Sequence, residues 1–270
     1  MEDAKIKANK IKVALAQTQI IWEDKMRNYD TAEKRIREAV EQKAEAVFFP
    51  EMSFTGFSMD TDSTKESDGA TIQHMSALAQ QYHVNIGFGW VKDCIRACGK
   101  CENHYTVVDV AGNMISDYVK IHPFSYSGED MRFQGGSELV YFALNGIPCS
   151  SFICYDLRFP EIFQAVSKRA HVIIMPANWP AGRRDHWKAL LRARAIENQA
   201  YILAVNCVGR TGGVSYTGDS CVVSPNGDVE AELSDREGMV VWELTDDAAC
   251  LRAEFPVKRD RREAFYSGLL

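Results

Sequence analysis

Short apolar runs and helical stripes alternate along this chain. Ile11-Lys-Val-Ala-Leu-Ala16 has the character of a strand. Apolar residues then recur at Tyr29, Ala32, Ile36, Ala39 and Val40, the spacing of one helical face. Ala46-Val-Phe-Phe49 predicts a fully apolar strand ending at Pro50-Glu51. Ile72, Met75, Leu78, Ala79 and Tyr82 mark a second helix. Strands are predicted over 84–91 and 106–110, and Gly112-Asn113 turns the chain back into a strand over 114–119. Runs over 139–144 and 147–153 flank Asn145-Gly146, a two-residue hairpin signal. A helix is predicted after Pro160, a strand over 172–175, a long helix over 184–199 and a strand over 201–205. The 219–223 run and the segment after Pro225-Asn-Gly-Asp228 predict a further hairpin. This order predicts an α/β protein with one mixed sheet, or two packed sheets, and helices outside. No linker, repeat or low-complexity stretch divides it, so residues 1–270 are expected to form one domain, with 1–10 a short extension.

Composition narrows the class. The 270 residues are 46% hydrophobic and 25% charged, enough for a large core. A net charge of −6 argues against nucleic acid or an anionic membrane as partner. No apolar run approaches the roughly 20 residues of a membrane span. Met1–Lys10 is charged and lacks the apolar stretch of a secretory signal, so the expected setting is the cytoplasm. The eight cysteines are then expected as free thiols, metal ligands or a nucleophile rather than a disulfide framework.

The chemistry concentrates at three predicted strand ends. Cys154 follows the 147–153 run and precedes Pro160, a natural first-turn helix residue. A thiol at such a bend faces a cleft, the Tyr155 N–H is free to meet an oxyanion, and a helix N-terminus favours thiolate. Alone, Cys154 reads equally well as a small buried hydrophobe. Glu51 and Lys120 each follow their own strand, and ligand sites in open α/β sheets collect beyond strand carboxyl ends. A cysteine needs a base, which Glu51 can be, and a tetrahedral adduct on a carbonyl or nitrile carbon needs a cation, which Lys120 can be.

These residues resemble the nitrilase superfamily of carbon–nitrogen hydrolases. Phe49-Pro-Glu-Met52, Lys120-Ile-His-Pro-Phe124 and Ile153-Cys-Tyr-Asp-Leu-Arg-Phe-Pro-Glu161 are similar to its glutamate, lysine and nucleophile blocks. Pro176-Ala-Asn-Trp-Pro180, His186-Trp187, Ala193–Gln199 and Asp260-Arg-Arg262 fit in order, so the resemblance covers nearly the whole chain. It implies a four-layer αββα sandwich, a homodimer or higher homo-oligomer, and no metal or organic cofactor. It implies Glu51 as general base, Lys120 as oxyanion stabiliser and Cys154 as the nucleophile that forms an acyl-enzyme. A second glutamate is matched best by Glu129, to position Lys120 or help with proton transfer, with Asp130 and Glu138 close by.

The 178–183 segment resembles the bacterial branch near omega-amidase, whose members cleave the terminal amide of small dicarboxylate monoamides. Arg158 and Arg183 are candidates to pair a substrate carboxylate, Asn178 to contact substrate, and Trp179 to wall the pocket or pack in the core. The expected partners are thus a small amide and water.

Other readings stand beside it. N-carbamoyl hydrolysis and deaminated-glutathione amidase activity share the acyl-enzyme chemistry. Cys94, Cys98 and Cys101 have the C-x3-C-x2-C spacing of an iron–sulfur radical-SAM protein, or of a zinc loop with His104 as fourth ligand. No Gly-rich cofactor-binding block supports the former. A Cys–His hydrolase would draw on His122 or His186. Cys149, Cys207, Cys221 and Cys250 are expected in the core.

Overall fold

A computed structural model of the chain describes residues 9–93 and 99–269. Strands β1 (Lys10–Gln17), β2 (Ala46–Phe48), β3 (Asn85–Lys92), β4 (Glu102–Val108) and β5 (Met114–Val119) lie in one sheet. Strands β6 (Phe142–Leu144), β7 (Ile147–Ser151), β8 (Val172–Ala177), β9 (Tyr201–Asn206), β10 (Val208–Thr211), β11 (Val214–Val223) and β12 (Val229–Ser234) make the other. Strand β13 (Gly238–Thr245) returns to the first sheet and pairs antiparallel with the whole of β1. The helices are α1 (Lys25–Glu41), α2 (Thr61–Thr64), α3 (Ala70–Tyr82), α4 (Glu129–Arg132), α5 (Pro160–Val166), α6 (Arg184–Asn198), α7 (Ala248–Glu254) and α8 (Glu263–Tyr266).

The period-2 alternation of β1 sets the layering. Val13 and Leu15 face the second sheet and share a core with Phe48, Tyr105, Tyr118, Phe152, Ile174 and Val222. Ala14 and Ala16 face outward, where Tyr29, Ala32 and Ile36 of α1 and Met75 and Leu78 of α3 cover them. The second sheet is covered by Phe163 and Val166 of α5 and by Trp187, Leu191 and Ala195 of α6. The layers are therefore α, β, β, α, as the resemblance implies.

Strands β1, β2 and β3 are mutually parallel. Two antiparallel steps, β3 to β4 to β5, restore that direction, so β2 and β5 deliver their carboxyl ends to one edge. In the second sheet β7, β8 and β9 are parallel.

Several elements differ from expectation. β4 starts at Glu102, not Thr106, because the polar residues Glu102, Asn103 and His104 pair across to Lys92, Val91 and Trp90. Residues 139–141 are irregular, and the 147–153 run leaves the sheet after Ser151. β13 was unforeseen; most of its positions are only half-buried, which blurs any alternation.

Candidate active site

Cys154 opens a single 3-10 turn, Cys154–Arg158, between β7 and α5. Its φ of +47° puts a non-glycine residue in the sparsely populated left-handed region, a strain that surrounding contacts must hold. Asp156 supplies those contacts. Its Oδ2 accepts from the Ile153 N–H at 3.0 Å and the Tyr118 hydroxyl at 2.8 Å. Its Oδ1 accepts from the His122 N–H at 3.0 Å and lies 2.7 Å from His122 Nδ1. One buried carboxylate thus ties the cysteine turn to the segment after Lys120.

Glu51 lies in the tight turn after β2, fully buried. β3 braces that turn: Ser53 N–H donates to the Gly89 carbonyl at 3.0 Å, and Gly89 N–H donates to Ser53 Oγ at 2.9 Å. A Cβ on Gly89 would sit 2.4 Å from Met52 N, so only glycine lets the turn approach this closely. Asn178, just beyond β8, closes the other side. Its Nδ2 donates to the Glu51 carbonyl at 2.7 Å and its backbone N–H to Glu51 Oε2 at 2.9 Å.

Lys120 Nζ donates to Glu51 Oε1 at 2.8 Å and to Glu129 Oε1 and Oε2 at 3.0 and 2.8 Å. Glu129, at the start of α4, is the acid facing Lys120, not Asp130 or Glu138. Asn103 Nδ2 donates to Glu51 Oε1 at 2.8 Å and Glu129 Oε1 at 3.2 Å. The Phe124 N–H donates to Glu129 Oε2 at 2.5 Å.

The electrostatics follow from that dry setting. Burial works against the Lys120 charge, yet Glu129 and then Glu51 hold its pKa above the ordinary lysine value. Burial pushes Glu129 up, against the pull of Lys120. The Cys154 thiol is raised well above its ordinary value, first by burial and then by the Glu51 charge; Lys120 and the Asn178 N–H oppose this. The expected thiolate-favouring helix terminus is therefore overridden. α5 begins only at Pro160, and burial and the Glu51 charge favour the protonated sulfur.

Cys154, Tyr155 and Lys120 open on a cavity of about 300 Å³ with mainly apolar walls, among them Phe57, Phe124, Trp179 and Tyr216. Arg158 and Arg183 also line it. The Arg158 guanidinium lies 4.9 Å from the Trp179 ring, with Nη2 3.3 Å from His186 Nδ1. Arg183 lies 5.4 and 5.3 Å from the Phe124 and Tyr126 rings. Neither has a carboxylate partner among the described residues. Trp179 fills both roles considered for it, since it lines the cavity and packs against Trp187 at 5.4 Å.

Three residues escaped the sequence reading: Asn103, hidden in a polar stretch; Gly89, whose role needs the sheet register; and Asp156, whose partners are distant in sequence. Cys94 and Cys98 lie outside the described residues. Cys101 is buried with Met52, Val91 and Phe133, and no metal-holding group of His, Cys, Asp or Glu occurs among the described residues. The ring nitrogens of His104, the fourth ligand considered for a zinc loop, lie 2.9 Å from Asp117 Oδ1 and 3.2 Å from Glu102 Oε2. His122 and His186 are likewise held by Asp156 and Arg158. Cys149, Cys207 and Cys221 are core residues as expected, but Cys250 is exposed on the short surface helix α7. No helix among the described residues is long and apolar enough to cross a membrane.

A cysteine on a strained turn beside a buried Glu–Lys–Glu cluster, in an αββα sandwich, defines a cysteine-dependent hydrolase class. The profile of the carbon-nitrogen hydrolase family matches residues 12–252, and the chain belongs to that family. It is 37% identical over 227 residues to the 2-oxoglutaramate amidase of Bacillus subtilis (strain 168), covering 83% of this chain and 87% of that one. It is 31% identical over 256 residues to omega-amidase YafV of Escherichia coli (strain K12), covering 94% and 97%. The crystal structure of XC1258 from Xanthomonas campestris, a CN-hydrolase superfamily protein with an arsenic adduct in its active site, superposes with a TM-score of 0.86. That pair is 29% identical, covering 93% of this chain and 97% of that one.

Proposed function

We propose that this protein hydrolyses the terminal amide of a small acid, an omega-amide of a dicarboxylic or 2-oxo acid, and releases ammonia. The observation that carries the reading is Arg158 and Arg183, two cations without carboxylate partners among the described residues, in the same mainly apolar cavity as Cys154. A guanidinium in such a setting pairs strongly with a planar carboxylate. The relatives named 2-oxoglutaramate amidase and omega-amidase support the same substrate class.

In this reading the Cys154 sulfur attacks the amide carbon while its proton passes to Glu51. The raised thiol pKa makes this base-assisted attack, not attack by a preformed thiolate. Lys120 and the Tyr155 N–H stabilise the oxyanion, and Glu129 holds Lys120. Glu51 gives the proton to the leaving nitrogen, the C–N bond breaks and ammonia departs from a Cys154 thioester. Water then attacks the thioester, Glu51 takes its proton and returns it to sulfur, and the free acid leaves. We infer a homo-oligomer as the working form; exposed Phe255, Phe265 and Leu269 near the C-terminal end support it, and size-exclusion with light scattering tests it.

An ammonia-release screen tests the substrate class. Turnover is expected with 2-oxoglutaramate or 2-oxosuccinamate and little with simple nitriles, carbamoyl amino acids or neutral amides. A preference for uncharged amides would overturn it.

A further inference from the structure

We propose that Asn103 is a positioning residue that confines the working proton of Glu51 to Oε2. The proposal rests on Glu51 being the general base. Among the described residues, seven hydrogen bonds reach the two buried carboxylates: three from Lys120, two from Asn103 and one each from the backbone N–H groups of Asn178 and Phe124. An ammonium has three protons and a primary amide two, so in the resting site every one of these N–H groups is engaged.

Two carboxylates offer about eight acceptor directions. Glu129 Oε1 takes Lys120 and Asn103, and its Oε2 takes Lys120 and Phe124. Glu51 Oε1 takes Lys120 and Asn103. Glu51 Oε2 takes the Asn178 N–H alone. The one open acceptor direction is thus on Glu51 Oε2. Asn178, whose N–H holds that oxygen, lines the same cavity as Cys154, whereas Oε1 is taken up by Lys120 and Asn103.

Without Asn103, Oε1 would also be open, and a proton there would face Lys120 and Glu129 instead of the thiol. Asn103 is placed for this by backbone as well, since its carbonyl accepts from the Lys120 N–H at 2.9 Å. It is 1% exposed, and its Oδ1 has no hydrogen-bond partner among the described residues, so its contribution is made through Nδ2. Donation to both carboxylates also favours their charged forms. The other titratable groups acting on this cluster are Lys120, Cys154, Cys207 and Tyr216.

The test is the pH profile of Cys154 alkylation by iodoacetamide, read by peptide mass mapping, together with kcat/KM for 2-oxoglutaramate. Asn103→Leu keeps the shape and removes the donor. Its acidic limb is expected to move up by about one to two pH units, with alkylation about tenfold slower or more at neutral pH. KM is expected to change little. A purely structural role would scale the whole profile and leave the limb in place, which would overturn the proposal. If Asn103→Leu does not fold, Asn103→Ser retains one donor and is expected to shift the limb the same way by less; an unmoved limb there overturns it equally. Glu51→Gln separates the two failures. If Glu51→Gln keeps the wild-type limb, the base assignment falls and this proposal with it. If Glu51→Gln loses the limb and Asn103→Leu keeps it, only the Asn103 role falls.

Discussion

Lys120 Nζ lies 2.8 Å from Glu51 Oε1, and the two side chains are 1% and 0% exposed. A buried ion pair of this kind adds little net stability when intact but is costly to break from one side. Lys120→Met leaves Glu51 and Glu129 facing each other without their shared cation. It is expected to lower unfolding free energy by about 3–5 kcal/mol, measured by urea denaturation, and to abolish turnover. A loss below about 1 kcal/mol would show that the cluster is not held by this charge.

The Glu51 turn depends on the missing side chain of Gly89. Gly89→Ala drives a methyl into the Met52 N and Glu51 backbone, which cannot swing aside as a side-chain tip can. The expected cost is about 1–3 kcal/mol of stability, and kcat falls about a hundredfold through displacement of Glu51. Denaturation and steady-state kinetics of the one variant report both, and wild-type kcat would refute the brace.

The Cys154 thiol carries a signed prediction. Burial raises its pKa first and the Glu51 charge second. Removing an adjacent negative charge favours thiolate, so in Glu51→Gln the thiol should titrate at lower pH than in the wild type while turnover disappears. Thiolate absorbance near about 240 nm, followed against pH, reads this with Cys154→Ala as blank. A higher titration midpoint in the variant would contradict the electrostatic account.

The arginines should separate binding from chemistry. Arg183→Ala and Arg158→Ala are each expected to raise KM for 2-oxoglutaramate about ten- to hundredfold, from loss of a charged hydrogen-bonded pair. KM for a neutral amide of similar length should change by about threefold or less. Equal effects on both substrates would place the guanidinium groups in the pocket's structure, not in recognition of a carboxylate.

Much of this was legible in the sequence, for a physical reason. Largely buried strands such as 46–48 and 147–151 end within three residues of chemically capable ones, so Glu51, Lys120 and Cys154 stood out. Helical faces in α1 and α3 were equally plain. Asn103 was not, because it enters the site on the first residues of an antiparallel strand whose opening is polar, Glu102-Asn103-His104. Gly89 was not, because its role depends on β3 lying beside the Glu51 turn. Nor did the sequence disclose that the surroundings of Cys154 raise its thiol pKa. That depends on how deeply Glu51 and the sulfur are buried together, which the pattern of residues does not specify.

The central claim is that Cys154 carries the acyl group. The most direct measurement is ammonia release from 2-oxoglutaramate by purified Cys154→Ala, with circular dichroism to verify the fold. The account predicts a loss of about a thousandfold or more with the fold retained. Release within about tenfold of wild type by the folded variant would contradict it.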